Sequence, residues 1–477
     1  MARHAAPRRR MLAAAAQVSD PQLRSTYSTW VVAFAVGVVV FEWQVVMPVI
    51  SVQTLSGVLA CFVLLRPGAV WRLALLCAVL AVEFGSLLPN PYSAGLLLHL
   101  SAVALSGWFA LRLLRERAMP DHAEIVARVL PFLRWGLLLA WFSDAISKLN
   151  TGFLSSVGSC APHVLEELPL LHIGEDLYGP LAITQLLAEF AIPLMLIFPR
   201  TRTAGVALAA AWYALVALGG NPANAALMFA FVLLFLPAAT LSAAGARLRE
   251  TGRTLTTPRL RTLARSRWAL AGLAAVWIAG LTVNEAMPYE IAVRLSRWSA
   301  IAIVVAWIGL WATLLVRLRP GPGDAHALRL RDGVLVCALA LMVANSLSPY
   351  IGLKTDWSFS QYGNLRTEAG HWNHLVLPEA MRVFGSQDHL VRLIAVDGDD
   401  RLAGLAERNS DNLLVLPDAR RMLAAYDQDA SVYYELDGVR RFALRLGEDH
   451  VLGGGVSPLT DLLGRWRRVP LEPTCQF

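Results

Sequence analysis

Val129 to Asn150 reads VLPFLRWGLLLAWFSDAISKLN. Its first part, residues 129–147, is dominated by apolar side chains over close to the roughly 20 residues that cross a bilayer as a helix. It is not uniformly apolar, since Arg134 and Asp144 lie inside it, and it ends on an amine (Lys148) and an amide (Asn150). Charges inside a membrane span are costly and ordinarily face a cavity or a partner. The stretch therefore predicts both a membrane helix and a polar site at one end of it.

The same pattern runs through most of the chain. Hydrophobic residues make up 56% and charged residues 16% of the 477 residues, against roughly 25% charged in soluble domains. Apolar runs near 29–48, 50–65, 71–88, 93–112, 129–147, 181–198, 203–220, 223–241, 268–285, 298–316 and 333–349 predict ten or eleven spans, the first two nearly without a loop. The fold class expected is an all-α polytopic membrane helical bundle with a small C-terminal α+β domain. Residues 1–28 read as a basic cytoplasmic tail, 29–350 as the transmembrane bundle, and 351–477 as a soluble extracytoplasmic region. Met11 to Val18 is too short for a signal-peptide core.

Arginine sets the orientation. Arg66 and Arg72, then Arg112 to Arg128, Arg200 and Arg202, Arg247 to Arg267 and Arg317 to Arg331 fall in alternate loops. The positive-inside rule places these in the cytoplasm, with the N-terminus inside and the C-terminal region outside. This predicts a multi-pass protein of the cell inner (plasma) membrane, and the net charge of +7 needs no nucleic acid to explain it. The opposite loops carry almost no arginine, except that Arg294 and Arg297 stand in the one at 285–297.

Against that arginine background only two residues are lysine, Lys148 and Lys354. An amine can lose its proton when desolvated and a guanidinium cannot. Both lysines lie in polar-aromatic stretches at ends of apolar segments, WFSDAISKLN (141–150) and PYIGLKTDWSFSQYGN (349–364), and both fall on the extracytoplasmic face. Asp144 and Lys148 are spaced i,i+4, which brings them within ion-pair reach on one helical face. Either the pair is structural, with Lys148 snorkelling to the interface, or the amine is a base in an apolar setting of Trp141, Phe142, Leu149 and Phe153. The other charges within spans are Glu42, Glu83 and Glu189.

Other chemistry is sparse. His163, His172, Glu166, Glu167, Glu175 and Asp176 in the outer loop, with His371 and His374 beyond the last span, match no metal-ligand spacing and read as solvated loop residues. Neither a nucleophile elbow, a zincin helix, a Walker loop nor a dinucleotide fingerprint occurs, and no paired broken helices suggest a secondary transporter. Cys61, Cys77 and Cys337 lie within spans; Cys160 and Cys475 both fall outside, which leaves room for a disulfide. In the C-terminal region His389 to Val396 alternates like a strand. Asp418 to Tyr426 predicts a helix, and Ser431 to Glu435, Asp437-Gly438 and Val439 to Leu446 predict a hairpin with an Asp-Gly turn.

WFSDAISKLNTGFLSSVGSC (141–160) resembles the K-L-N/D segment of the vitamin K-dependent gamma-carboxylase family, and most of all its bacterial relatives, the HTTM (horizontally transferred transmembrane) proteins. The likeness continues through Glu189-Phe-Ala-Ile-Pro193, Phe198-Pro-Arg-Thr-Arg202 and Phe235-Leu-Pro237, within an HTTM-like core of about 29–241. Asn345-Ser-Leu-Ser-Pro-Tyr350, Gly352-Leu-Lys-Thr355, Asn364-Leu-Arg-Thr-Glu368 and Asn373-His-Leu375 resemble the tail of a bacterial subgroup. The resemblance implies a reduced quinone of the vitamin K type as cofactor, with Lys148 as the base that deprotonates it and Asp144 orienting the amine. It implies Asn150, Glu189, Lys354, Asn364, Arg366 and His374 as substrate or second-layer contacts, membrane lipid as a partner, and an extracytoplasmic protein or peptide as substrate. The chain departs from the family where Pro89-Asn90-Pro91-Tyr92 replaces an Asn-His pair, at Trp212-Tyr213, and in lacking a large outer region. Those departures keep an alternative open, a non-catalytic lipid-binding or partner-anchoring membrane protein.

Overall fold

The computed structural model describes residues 20–44, 52–85, 93–155, 158–162, 174–255, 289–318, 320, 327–360, 363–457, 460, 464, 466–471 and 475. Among the described residues eleven helices precede the C-terminal domain: α1 (Asp20–Gln44), α2 (Val52–Leu65), α3 (Val70–Gly85), α4 (Ser93–Glu116), α5 (His122–Ser147), α6 (Tyr178–Ile197), α7 (Arg202–Leu218), α8 (Pro222–Val232), α9 (Ala238–Leu255), α10 (Tyr289–Leu318) and α11 (Gly333–Leu347). Stretches of α1, α4, α5, α6 and α10 are long and apolar enough to cross a membrane, and α2, α7, α8 and α11 are shorter apolar helices. The surface of α6 turns Ile183, Leu187 and Leu194 outward, and α10 does the same with Ile303 and Val316. Apolar side chains belong on the outside of a bundle only where lipid is the solvent. This is a helical multi-pass membrane protein.

Two sequence boundaries shift. The tail expected to reach residue 28 ends earlier, because α1 starts at Asp20; Tyr27 is fully buried and Thr26 donates to the Ala238 carbonyl at 3.0 Å. The span expected at 223–241 is two helices. A short 3-10 turn (Leu233–Phe235) follows α8 and Leu236 is extended, as expected for a residue before a proline, here Pro237. Beyond it α9 is polar and stays helical to Leu255, into the stretch read as a cytoplasmic loop. The span expected at 268–285 lies outside the described residues.

Contacts divide the described residues into two compact units. The first comprises those up to Leu139 and those within Phe190–Met342. In it α1 packs closely on α8: a Cβ at Gly37 would sit 3.1 Å from the Leu227 Cα and 3.2 Å from the Ala226 carbonyl oxygen. Small residues are what allow membrane helices to approach this near. Several in-span charges of this unit have partners, while both carboxyl oxygens of the buried Glu42 accept no hydrogen bond among the described residues. Arg134 donates to the Leu234 and Ala327 carbonyls at 2.8 and 2.7 Å, and His99 lies 3.6 Å from Glu83. Asp332 accepts from Trp108 at 3.0 Å and from Arg128 at 3.1 Å.

The second unit comprises residues within Ala140–His163, His172–Glu189 and Val343–Phe477. The K-L-N segment thus packs in the same unit as the C-terminal region. Its sheet has the order β4-β3-β1-β2-β5, all antiparallel, from β1 (Leu390–Asp397), β2 (Asn412–Val415), β3 (Ser431–Leu436), β4 (Val439–Ala443) and β5 (Val469–Pro470). Helices α12 (Asp400–Arg408) and α13 (Leu416–Leu423) complete it, packing Leu402, Leu405 and Leu423 with Val391, Leu393 and Val432. The hairpin turns on Asp437 and Gly438, at φ +50° and +81°. Both central residues of a type I′ turn need positive φ, so the Asp-Gly signal and the observed turn agree.

Candidate active site

Two polar clusters lie in the second unit, and α5 leads into both. The helix stops at Ser147, and the Lys148 N–H bonds to the Ala145 carbonyl at 3.2 Å, three residues back rather than four. That tightened last turn changes the direction in which Lys148 leaves the helix. Its amine donates to Glu189 Oε2 at 2.7 Å, and both side chains are buried, at 4% and 9% exposure. The other oxygen, Oε1, accepts from Gln185 Nε2 at 2.9 Å, one turn earlier on α6. The ring of Phe153 lies 5.9 Å from Nζ.

The expectation that Asp144 pairs with Lys148 is corrected by this geometry. An i,i+4 pair requires helix through both positions, and residue 148 is already outside it. The carboxylate against the amine comes from 41 residues further along the chain. Glu189, expected as a substrate or second-layer contact, is the direct partner of the amine. Gln185 was not anticipated, although its i,i+4 spacing to Glu189 is readable once that role is known.

The second cluster is built around amides. Asn150 is fully buried, donates to the Ser147 carbonyl at 2.6 Å and to the Gly363 carbonyl, and accepts from the Phe153 N–H at 2.8 Å and from Asn373 Nδ2 at 3.3 Å. Asn364, at φ +49°, accepts from the Cys160 N–H and donates to the Gly158 carbonyl, both at 2.9 Å. Asn373 donates to the Asn364 carbonyl at 2.7 Å and accepts from the Arg366 N–H at 2.9 Å. A β-bridge joins Asn150 to His374, and Leu375 N–H donates to the Leu149 carbonyl at 2.9 Å. The segment after the last span is thereby tied to the end of α5. Cys160, beside this knot, is disulfide-bonded to Cys475, with Cα atoms 4.8 Å apart.

His374 belongs to the knot by its tautomer. Its Nδ1 accepts from the N–H groups of Val376 and Leu377 at 3.1 and 2.9 Å, so the ring proton is on Nε2, facing the Ile146 carbonyl at 3.0 Å. Burial pulls the imidazole below its ordinary range, opposed by that carbonyl. Asn150, Asn364 and His374 therefore direct these hydrogen bonds to their own chain. Arg366 lies beside the buried Glu368; burial pushes the Glu368 carboxyl up, while nearby backbone N–H groups, Arg467 and Arg366 pull it down. Lys354 sits in the turn after α11, its N–H toward the Ser348 carbonyl. Among the described residues the Lys148–Glu189 pair has Gln185 as a hydrogen-bond partner and the Phe153 ring beside it. His163, His172, Glu166 and Glu167 lie outside the described residues.

Among the described residues no group of three His, Cys, Asp or Glu is placed to hold a metal ion. The chain matches no family model, no curated protein and no solved structure.

Proposed function

We propose that the Lys148–Glu189 pair is the proton-accepting centre of a membrane enzyme resembling the vitamin K-dependent gamma-carboxylases, at the extracytoplasmic end of α5. The observation that carries this reading is the amine's uneven use. Lys148 Nζ has three positions beyond its bond to Cε, two N–H and one lone pair in the neutral amine; Glu189 accepts from one N–H, and no other described group takes another position. A buried polar group ordinarily has its capacity filled by its own protein. An amine held in place with capacity to spare, beside an aromatic ring, fits the hydroxyl of a lipid-soluble hydroquinone.

A reduced quinone, when bound, supplies an acidic hydroxyl and two electrons. The chain's own groups handle the proton: the Lys148 Nζ lone pair accepts it, the Glu189 carboxylate balances the resulting ammonium, and Gln185 fixes that carboxylate. Arginine cannot substitute, since a guanidinium has no free lone pair at accessible pH. In the same reading the C-terminal region faces out from the inner membrane and meets an extracytoplasmic protein or peptide substrate.

The test is oxygen uptake in proteoliposomes supplied with a reduced naphthoquinone. General-base catalysis contributes typically 10² to 10⁴ in rate, so Lys148→Arg should lose at least about a hundredfold. Undiminished turnover in that variant would sink the proposal. A second reading, a non-catalytic lipid-binding or partner-anchoring protein, is favoured by the hydrogen bonds that Asn150, Asn364 and His374 make to their own chain. It predicts no hydroquinone-dependent uptake in the wild type either.

A further inference from the structure

The segment from His374 to Gly385, HLVLPEAMRVFG, lies beyond the last span and belongs to the second unit. It turns two apolar pairs outward. Leu375 and Val376 are 56% and 67% exposed, and Val383 and Phe384 are 77% and 45% exposed. Each pair is tied to the end of an apolar helix. The Leu375 N–H donates at 2.9 Å to the carbonyl of Leu149, just past the end of α5. The Val383 and Phe384 N–H groups share the carbonyl of Ile351, in the turns after α11, at 3.0 and 2.9 Å. Between the two ties the Tyr350 ring meets the His374 ring edge to face, with centroids 5.3 Å apart. Val343 and Leu347, in the last turns of α11, are exposed as well, so the two pairs extend an apolar surface that already belongs to a membrane helix.

The backbone says which solvent this surface meets. The Val376 and Leu377 N–H groups donate to His374 Nδ1, and the Leu377 carbonyl accepts from Trp372 Nε1 at 3.0 Å. With the ties to Leu149 and Ile351, the N–H of every exposed residue in the two pairs is bonded within the chain. Water would satisfy those groups in an ordinary exposed loop; only in a bilayer must the chain do so itself. Pro378 brings no N–H to satisfy. The charges of the segment are likewise bonded internally, Arg382 to Glu379 at 3.2 Å and to Asp388. Gly352, at φ +80°, lets the second pair pack down, since a Cβ there would collide with the Phe384 carbonyl oxygen. Exposed apolar side chains on an internally bonded backbone suit acyl chains.

We propose that residues 375–384 form an apolar rim seated in the leaflet at the ends of α5 and α11, with Leu375, Val376, Val383 and Phe384 among the lipid acyl chains. The region that follows the last span then holds the membrane surface at this rim rather than standing clear of it in water. The inference does not rest on the chemistry assigned to Lys148.

The full-length wild-type protein, reconstituted in phosphatidylcholine vesicles that carry a photoactivatable diazirine on an acyl chain, gives the first test. After illumination, peptide mapping by mass spectrometry should find adducts on the 375–384 segment as well as on α10, whose exposed Ile303 and Val316 serve as the lipid-facing reference. Labelled α10 with an unlabelled 375–384 segment would overturn the proposal. Spin labels then distinguish lipid from water. In a background of Cys61→Ala, Cys77→Ala and Cys337→Ala, with the Cys160–Cys475 disulfide kept, nitroxides are placed through Val376→Cys, Val383→Cys or, for a water reference, Glu407→Cys at an exposed site. The ratio of collisions with oxygen, which concentrates among acyl chains, to collisions with a water-soluble nickel chelate should be several-fold higher at 376 and 383 than at 407. Phosphatidylcholine alone should suffice, because the charges of the segment are bonded internally. Ratios at 376 and 383 equal to that at 407 would place the segment in water and overturn the proposal. Weak collision with both reagents would overturn it in favour of a protein covering the patch.

Discussion

Lys148 and Asn150 are two residues apart, equally buried and part of the same motif, yet they do opposite things. Asn150 makes four hydrogen bonds, each to its own chain. Lys148 makes one side-chain hydrogen bond and is flanked by a ring. A buried amide with every lone pair and N–H used is a rivet, because any ligand would have to displace a protein partner. A buried amine with one partner is held but not consumed. The difference teaches that membership of a motif does not make a residue part of a site; the accounting of its hydrogen bonds does.

The largest effect that can break the comparison is Asn150→Ala. It strands two carbonyls and two N–H donors in a buried setting, at about 1–3 kcal/mol for each group left unsatisfied. A loss of about 4 kcal/mol or more is expected, and the variant should fail to give a monodisperse protein in detergent. A stable Asn150→Ala protein that had lost only turnover would move Asn150 into the site.

Next comes Glu189→Ala, which leaves a buried amine without its carboxylate. Breaking a buried pair costs about 3–5 kcal/mol, whereas replacing both partners by apolar groups is often neutral. Lys148→Met with Glu189→Leu should therefore recover most of the thermal stability lost in Glu189→Ala, and none of the turnover. Stability and activity would then separate at this pair, as they should not at Asn150.

The smallest effect sharpens the knot. His374 is held below its ordinary pKa chiefly by burial, so the unfolded chain binds the proton more readily than the folded one. Its contribution is present above about pH 6.5 and is lost as pH falls through the folded value, with a slope of at most about 1.4 kcal/mol per pH unit for one proton. Unfolding midpoints at pH 7.5 and 5.5 should show this loss, and His374→Asn, whose Oδ1 can accept in place of Nδ1, should reduce it. An unchanged slope would remove His374 from the account of the knot.

Much of the fold was legible because its signals are local. Apolar length marked the spans, alternation marked β1, and Asp437-Gly438 marked the hairpin. What was not legible is non-local. The Lys148–Glu189 contact joins α5 to α6, while the i,i+4 spacing to Asp144 offered a nearer carboxylate that the helix end at Ser147 takes out of reach. Apolar length does not mark a helix end where polar residues continue the helix, as before residue 29 in α1 and after residue 241 in α9. The role of Asn373 could not be separated from its neighbours by residue type, because its amide is distinguished only by what it bonds.

The most direct test exchanges the two charges, Lys148→Glu with Glu189→Lys, and reads hydroquinone-dependent oxygen uptake beside the unfolding midpoint. If the amine must stand at position 148, the exchanged protein should be more stable than either single variant and show only background uptake. Uptake at the wild-type rate in the exchanged protein would contradict it and leave the pair a structural bond.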